Sequence, residues 1–329
     1  MKRRRFIAGL GLVATSAVSF DVLGQTRVKR HRIGFITGVT PEGVAPSLAR
    51  FIEGMKVLGY REGVNFDIES RYGRGDMAAL PALAEEPVRL NPDIILAGHT
   101  TAALAVKRAT STIPIVCPLL GADLTRLGLA ASQARPNENV TGVLYYVEGL
   151  PGKLLEIALE IVPGAAKFGL LADLGGVANA ALEHDVKVAS TGSAAQIISV
   201  GIHGLDEIEP ALNALVKDRI EALIVPSAPT LSSARDLIAR LASSAHIPSV
   251  FSAREYVDAG GLISYGVSYR ENYHKAATYV DKILHGATPA DLPLQFPTKL
   301  ELIVNLKAAR AIGVTIPPAM LARADEVIE

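Results

Sequence analysis

Asp93-Ile94-Ile95-Leu96-Ala97-Gly98-His99-Thr100-Thr101-Ala102 is the stretch on which the fold turns. An apolar run this short, stopped by a glycine, reads as a strand buried on both faces. Past His99 the pattern becomes helical, from about 101 to 110. A strand that feeds directly into a helix of this length is half of a β–α–β unit, and such units lie on a parallel sheet. Upstream, 32–37 and 65–72 read as strands, followed by helices over 46–59 and 77–90; downstream, 113–116 is a fourth strand.

The rhythm then restarts. Helix 154–162, strand 168–171, helix 178–189, strand 196–200, helix 205–217, strand 222–225, helix 232–245 and strand 248–251 form a second series. The expected fold class is α/β, with two doubly wound parallel-sheet lobes. Extended segments over 140–146, 262–267 and 292–297 read as connectors, with a helix over 269–285 between the last two. If each connector crosses between lobes, the first lobe comprises 31–143 with 267–292, and the second 144–266 with 293–329. A chain that crosses three times makes a hinge beside a cleft.

The amino terminus carries an address. Lys2-Arg3-Arg4-Arg5 precedes an apolar run from Phe6 to Phe20, too short to span a bilayer and typical of an export signal over residues 1–24. Arg3-Arg4-Arg5-Phe6-Ile7 also fits a twin-arginine signal; a general secretory signal is the alternative. No cysteine follows the run, so a lipid anchor is not expected. The expected location is the periplasm. Thirty-three basic residues balance 33 acidic ones, which gives no electrostatic footprint for nucleic acid or an acidic membrane. The single cysteine, Cys117, leaves no internal disulfide to form, so packed cores must carry stability.

In open parallel sheets ligands bind beyond the carboxyl ends of the strands. Three loops stand there. Gly98 to Ala102 opens a helix whose first N–H groups can hold an anion, with Thr100 as its cap and His99 and Thr101 beside it. Gly38 and Thr40 follow the first strand, and Ser227 lies in the proline-bounded turn after 222–225. The seven histidines show no metal-ligand spacing, and Cys117 with apolar neighbours reads as a core residue, so neither a metal nor a cofactor is expected. Aromatic residues recur on the connectors: Tyr145, Tyr146, Tyr265 and Phe296, with Phe251 at a strand end. Tyr145, Phe251 and Tyr265 are candidates to face a ligand, or to pack the hinge.

Longer motifs point the same way. Gly59-Tyr60-Arg61-Glu62-Gly63-Val64-Asn65, Asn91-Pro92-Asp93-Ile94-Ile95, Arg254-Glu255-Tyr256-Val257 with Ala259-Gly260-Gly261-Leu262, and Asn305-Leu306-Lys307-Ala308-Ala309 together resemble the tryptophan/tyrosine-type substrate-binding proteins of ABC transporters. The resemblance spans nearly the whole chain past the signal. It implies a type I periplasmic binding protein, monomeric, that closes on a small ligand and docks on a permease driven by an ATPase, doing no chemistry itself. It makes Asp123 the family's aspartate and the nearest candidate for a ligand amine. Leu124, Asp173-Leu174-Gly175-Gly176 and Ser227-Ala228-Pro229 depart from the family pattern where ligand identity is set. An amino acid or an aromatic or apolar carboxylate is the expected ligand. The rival readings are a periplasmic sensor serving a membrane receptor and an enzyme on the same scaffold; the second requires paired acid and base groups, which the sequence does not display.

Overall fold

The structure, a computed structural model, describes residues 29–121, 124–136, 138–175, 186, 188–191 and 195–329. The export signal, Asp123 and most of the helix expected over 178–189 lie outside the described residues.

The first series comprises β1 (His31–Thr37), α1 (Pro41–Val57), β2 (Phe66–Tyr72), α2 (Leu80–Arg89), β3 (Ile94–Ala97), α3 (Thr100–Ala109), β4 (Ile115–Leu120) and β5 (Val140–Leu144). Its strands form one parallel sheet in the order β2-β1-β3-β4-β5. Every residue of β3 is buried, as its unbroken apolar run requires. The sequence pattern starts α1 at Pro46, one turn late. Thr40 is the cap, its Oγ1 accepting the Gly43 N–H at 3.1 Å, and Pro41 fills the first helical position, where no N–H is missed.

The second series comprises α4 (Leu150–Ile161), β6 (Lys167–Asp173), β7 (Gln196–Ile202), α5 (Ile208–Lys217), β8 (Ala222–Val225), α6 (Pro229–Ser233), α7 (Arg235–Ser244), β9 (Ser249–Phe251), α8 (Arg254–Asp258) and β10 (Ile263–Val267). The chain ends in α9 (Tyr269–Leu284), β11 (Leu300–Asn305), α10 (Leu306–Ile312), α11 (Pro318–Arg323) and β12 (Glu326–Ile328). The second sheet runs β12-β11-β10-β9-β8-β6-β7. Counted within each series, both sheets therefore order their first five strands 2-1-3-4-5. One pair departs from the expected parallel arrangement: β11 runs antiparallel to β10. The single helix expected over 232–245 is two, α6 and α7, parted at Ala234.

Two of the expected connectors are themselves fifth strands. β5 pairs with β4 and β10 with β9 before the chain leaves each sheet. Gly142 in β5 has φ +148, and a Cβ there would lie 1.9 Å from the Cys117 carbonyl oxygen, so only glycine lets β5 close on β4. The third connector lies against the first: the Leu144 N–H donates to the Gln295 carbonyl at 2.8 Å and the Gln295 N–H to the Gly142 carbonyl at 3.2 Å. Between β10 and β11, α9 returns to the first sheet. Its Tyr273, Ala276, Ala277 and Val280 share a core with Phe35 and Phe51. A Cβ on Gly54 of α1 would lie 2.8 Å from that of Ala277, so a glycine sets the close crossing of the two helices. The described chain thus passes between the sheets after β5, after β10 and after α9. None of its helices is long and apolar enough to cross a membrane.

Candidate functional site

The 2-1-3 strand order sends the loops after the first and third strands in opposite directions and leaves a crevice between them. Each sheet has one: after β1 and β3, and after β6 and β8. The two open onto a shared cavity of about 750 Å³, counted to its mouth. Its size is that of a small-molecule site. Thr37, Val39, Gly98, His99, Thr100 and Thr101 line it from the first series; Ser227, Ala228, Pro229, Ser232, Arg235 and Glu255 line it from the second. Tyr145, Tyr269 and Tyr273 complete the wall where the chain crosses over.

The Gly98–Thr101 turn is built differently from the sequence expectation. His99, not Thr100, is the cap of α3, in extended backbone one residue earlier. The His99 ring is buried, and burial pushes its pKa down to about 3, so it is neutral at any physiological pH. Its Nε2 accepts the Gly38 N–H at 2.8 Å, while the Ala102 N–H approaches Nδ1 at 3.4 Å. The start of α3 presents its first-turn backbone N–H groups as donors. Thr100 locks this turn to the sheet, its Oγ1 accepting the Gly121 N–H at 2.7 Å and donating to the Leu119 carbonyl at 3.3 Å. The Tyr273 hydroxyl donates to the Gly98 carbonyl at 3.3 Å, so α9 holds the same turn from the other side.

The aromatic wall is tyrosine throughout. The Tyr145 and Tyr269 rings meet edge to face with centroids 6.5 Å apart. Burial pushes the Tyr145 pKa up to about 12 and raises those of Tyr269 and Tyr273 well above the ordinary phenol value, so all three remain neutral hydroxyls. A smaller cavity of about 410 Å³ shares Tyr145, Ser227 and Tyr269 with the first and continues to Tyr146, Leu150 and Leu154. Two charges stand at the main cavity. Arg235, at the start of α7, donates to the Ser232 carbonyl at 3.2 Å; a Cβ on Gly43 of α1 would lie 2.9 Å from its Nη1, so it reaches across to the first series. Glu255, in α8, is buried with no hydrogen-bond partner for either carboxylate oxygen, and burial pushes its pKa up. Flanking it, Arg254 pairs with Glu326 and Asp258, and Arg270 with Asp258 at 2.5 Å.

Of the residues singled out from sequence, His99, Thr100, Thr101, Tyr145 and Ser227 line one cavity. Gly38 and Thr40 stand behind it, Gly38 as the partner of His99 and Thr40 as the cap of α1. A Cβ on Gly38 would lie 2.2 Å from Met77 Cε and 3.0 Å from His99 Nε2, so the ring's position depends on that glycine. Phe251 and Tyr265 do not line it. Phe251 is fully buried in the second sheet's core, stacked on Tyr256 at 4.8 Å, and Tyr265 packs into the core on the other side of that sheet. Phe296 is exposed, and Cys117 is buried in the first sheet with its thiol pKa pushed up. Among the described residues, no group of three His, Cys, Asp or Glu side chains is placed to hold a metal ion. Sequence reading missed Arg235, Glu255, Tyr269 and Tyr273. Arg254-Glu255-Tyr256 follows a strand end, so the strand-end rule that found His99 also reaches Glu255. Outside the cavity, Leu205 from the turn after β7 covers Gly75 from the loop after β2; a Cβ there would lie 2.5 Å from Leu205 Cδ1.

The sequence profile described as "ABC transporter substrate binding protein" matches residues 33–328. A protein of Clostridioides difficile named "Tyrosine-binding protein" is 26% identical over 284 residues, covering 86% of this chain and 81% of that one. A conserved domain protein of Vibrio cholerae O1 biovar El Tor has a crystal structure that superposes with a TM-score of 0.83 at 26% identity, covering 91% of this chain and 99% of that one. An ABC domain from Streptococcus pneumoniae, solved in complex with L-Trp, superposes with a TM-score of 0.83 at 21% identity, covering 91% of this chain and all of that one.

Proposed function

The chain belongs to the ABC transporter substrate-binding protein family, and on that premise we propose that it captures a small organic acid between its two lobes and delivers it to a permease driven by an ATPase. The acid is an amino acid or an aromatic or apolar carboxylate. The observation that carries this reading is the cavity itself: helix-start donors on one side, tyrosines on the other, and lining residues drawn from both sheets. A carboxylate at the start of α3 gains charge-assisted hydrogen bonds from the first-turn N–H groups, and a flat apolar body gains stacking on Tyr145, Tyr269 or Tyr273. The tyrosine-binding relative and the L-Trp complex support the same ligand class.

In this reading 31–143 with 267–292 and 144–266 with 293–329 are the two moving bodies. Closure, not bond-making, is the event: the ligand binds the closed arrangement better and shifts the population toward it. The segment 1–24 exports the chain, and the mature protein works in the periplasm as a monomer. A thermal-shift screen of amino acids, aromatic acids and sugars tests the proposal. A ligand at a hundredfold excess over its Kd stabilises the folded protein by about 2.7 kcal/mol, well within detection. Stabilisation by one or more acids is expected. A screen in which only sugars stabilise the protein overturns it.

A further inference from the structure

We propose that Arg235 is the residue that selects the ligand's charge: its guanidinium, carried by the second series, closes onto an acid group seated against the first. The inference rests on the proposed function above and deepens it, since it gives the choice of an anion to a named side chain.

Among the described residues that line the main cavity, Arg235 is the one cation, His99 being neutral there. Its side chain is 15% exposed and lightly engaged. Nη1 donates to the Ser232 carbonyl at 3.2 Å, three residues back. Nη2 stands 3.8 Å from the carboxylate of Asp236, which is 76% exposed, and a pair so open to water is worth little. These contacts occupy only part of the guanidinium fork.

The place of the fork matters more than its bonds. A Cβ on Gly43 would lie 2.9 Å from Arg235 Nη1 and 3.0 Å from the Oγ1 of the capping Thr40, so the guanidinium rests over the first turn of α1. A cation there opposes the helix, whose first-turn N–H groups already carry partial positive charge. Arg235 is also the first residue of α7, a helix with no side-chain cap. Positive groups thus converge on the cleft without a counter-charge. The other charge on the wall does not supply one. Both carboxylate oxygens of Glu255 are inaccessible and accept no hydrogen bond, and Oε1 lies 3.9 Å from Arg270 Nε. The anion therefore has to come with the ligand.

A carboxylate offers two oxygens and a full charge, the shape that a guanidinium takes bidentately. The corresponding amide offers one oxygen and no charge. Because Arg235 and the starts of α1 and α3 belong to different series, the acid is paired from both sides only when the lobes stand together. Recognition of the charge and preference for the closed arrangement are then one contact. A neutral ligand of the same body leaves the guanidinium against a helix start with nothing between them.

Calorimetry at pH 7.5 on the mature chain decides this. The probes are benzoate, phenylacetate, 3-phenylpropionate, indole-3-propionate, 4-methylpentanoate, L-tyrosine and L-tryptophan, each beside its amide. For the tightest-binding acid, the amide is expected to bind wild type at least ~100-fold more weakly, since a site built to pair a polar group rejects the analogue that leaves it unpaired. Arg235→Gln is expected to weaken that acid at least ~10-fold, to leave the amide within about threefold, and so to cut the preference to about 10-fold or less. A role confined to packing weakens acid and amide alike. Circular dichroism confirms the fold; should Arg235→Gln not fold, Arg235→Met, which keeps the stem and drops the charge, is read by the same criterion. An acid preference unchanged in the folded variant, or equal losses for acid and amide, overturns the assignment of Arg235 and leaves acid capture standing. Amides that bind wild type as tightly as their acids overturn both readings, and so does a panel in which no acid binds at millimolar concentration.

Discussion

His99 and Glu255 are both buried at the cleft, and burial acts on their charges in the same sense: it disfavours them. For His99 the consequence is a folded-state ring that stays neutral down to about pH 3, so stability falls as pH drops below about 6.5, where the unfolded chain takes up the proton. For Glu255 the consequence is a carboxyl that holds its proton to higher pH than it does in the unfolded chain. The charged and titratable groups facing it are Arg270 and Asp258, Arg235, and the hydroxyls of Tyr256, Tyr269 and Tyr273. With the folded pKa raised, the native state binds more protons than the unfolded state in the window between the two values. Stability of the empty protein is therefore lost as pH rises through that window, and the penalty is complete above it. Glu255→Gln should thus melt higher than wild type at pH 7.5 without ligand, by the equivalent of about 1–3 kcal/mol, the cost of a buried unsatisfied group. The advantage should shrink toward the ordinary carboxylate range. Differential scanning calorimetry at several pH values measures both; a variant that melts lower than wild type at pH 7.5 contradicts the account. His99 was legible as a member of a strand-to-helix turn at a cleft, although Thr100 was the cap expected there. Glu255 stands within reach of the strand-end rule but was passed over, because Arg254-Glu255-Tyr256-Val257 reads as a family signature, and its burial beside Arg254 and Arg270 depends on how Asp258 and Glu326 engage those arginines, residues up to 72 positions apart.

At the scale of elements, the sequence pattern found most strands and helices because most are long enough to carry their own period. It erred where a local feature competes with a tertiary one. Pro46 looks like a helix start, yet Thr40 and Pro41 already supply one, and α1 absorbs the second proline. Segments 140–146 and 262–267 look like free connectors, yet each pairs as a fifth strand before the chain leaves the sheet. Their pairing as fifth strands depends on Gly142 and on Gly266, where a Cβ would lie 1.9 Å from the Ser252 carbonyl oxygen. Such approaches are visible in sequence only as isolated glycines inside apolar runs. Gly142→Ala is expected to destabilise the protein by more than about 2 kcal/mol, because the added methyl meets backbone, which cannot rotate away, at a φ that alanine disfavours. Urea unfolding followed by circular dichroism tests this; a shift below about 0.5 kcal/mol, typical of surface changes, contradicts the packing argument.

For the whole molecule, the decisive feature is that two sheets of the same strand order are linked by three passages of chain. The order of strands within each sheet came only with the structure; the two series were readable from alternating strands and helices. The face each lobe turns toward the other was not, since it depends on which loops meet across the cavity. If closure is what ligand binding achieves, small-angle scattering should show a smaller radius of gyration with a saturating amino acid than without. An unchanged profile would count against lobe closure while leaving the binding site intact.

Leu205 over Gly75 adds something the cavity does not. Neither residue lines the main cavity, though with Thr101 they border a groove beside it, and lobe opening of the kind proposed would part them. Its effect belongs to time rather than to selectivity: it is a brake on escape. Leu205→Ala should shorten the residence time of a bound ligand several-fold while leaving the association rate and the order of preference among ligands nearly unchanged. Stopped-flow tyrosine fluorescence separates the two rates, and a variant slowed in association instead would show that the contact forms before the ligand arrives. An importer lives by release as much as by capture, and the expectation here is that release is slowed at a contact outside the residues that line the cavity.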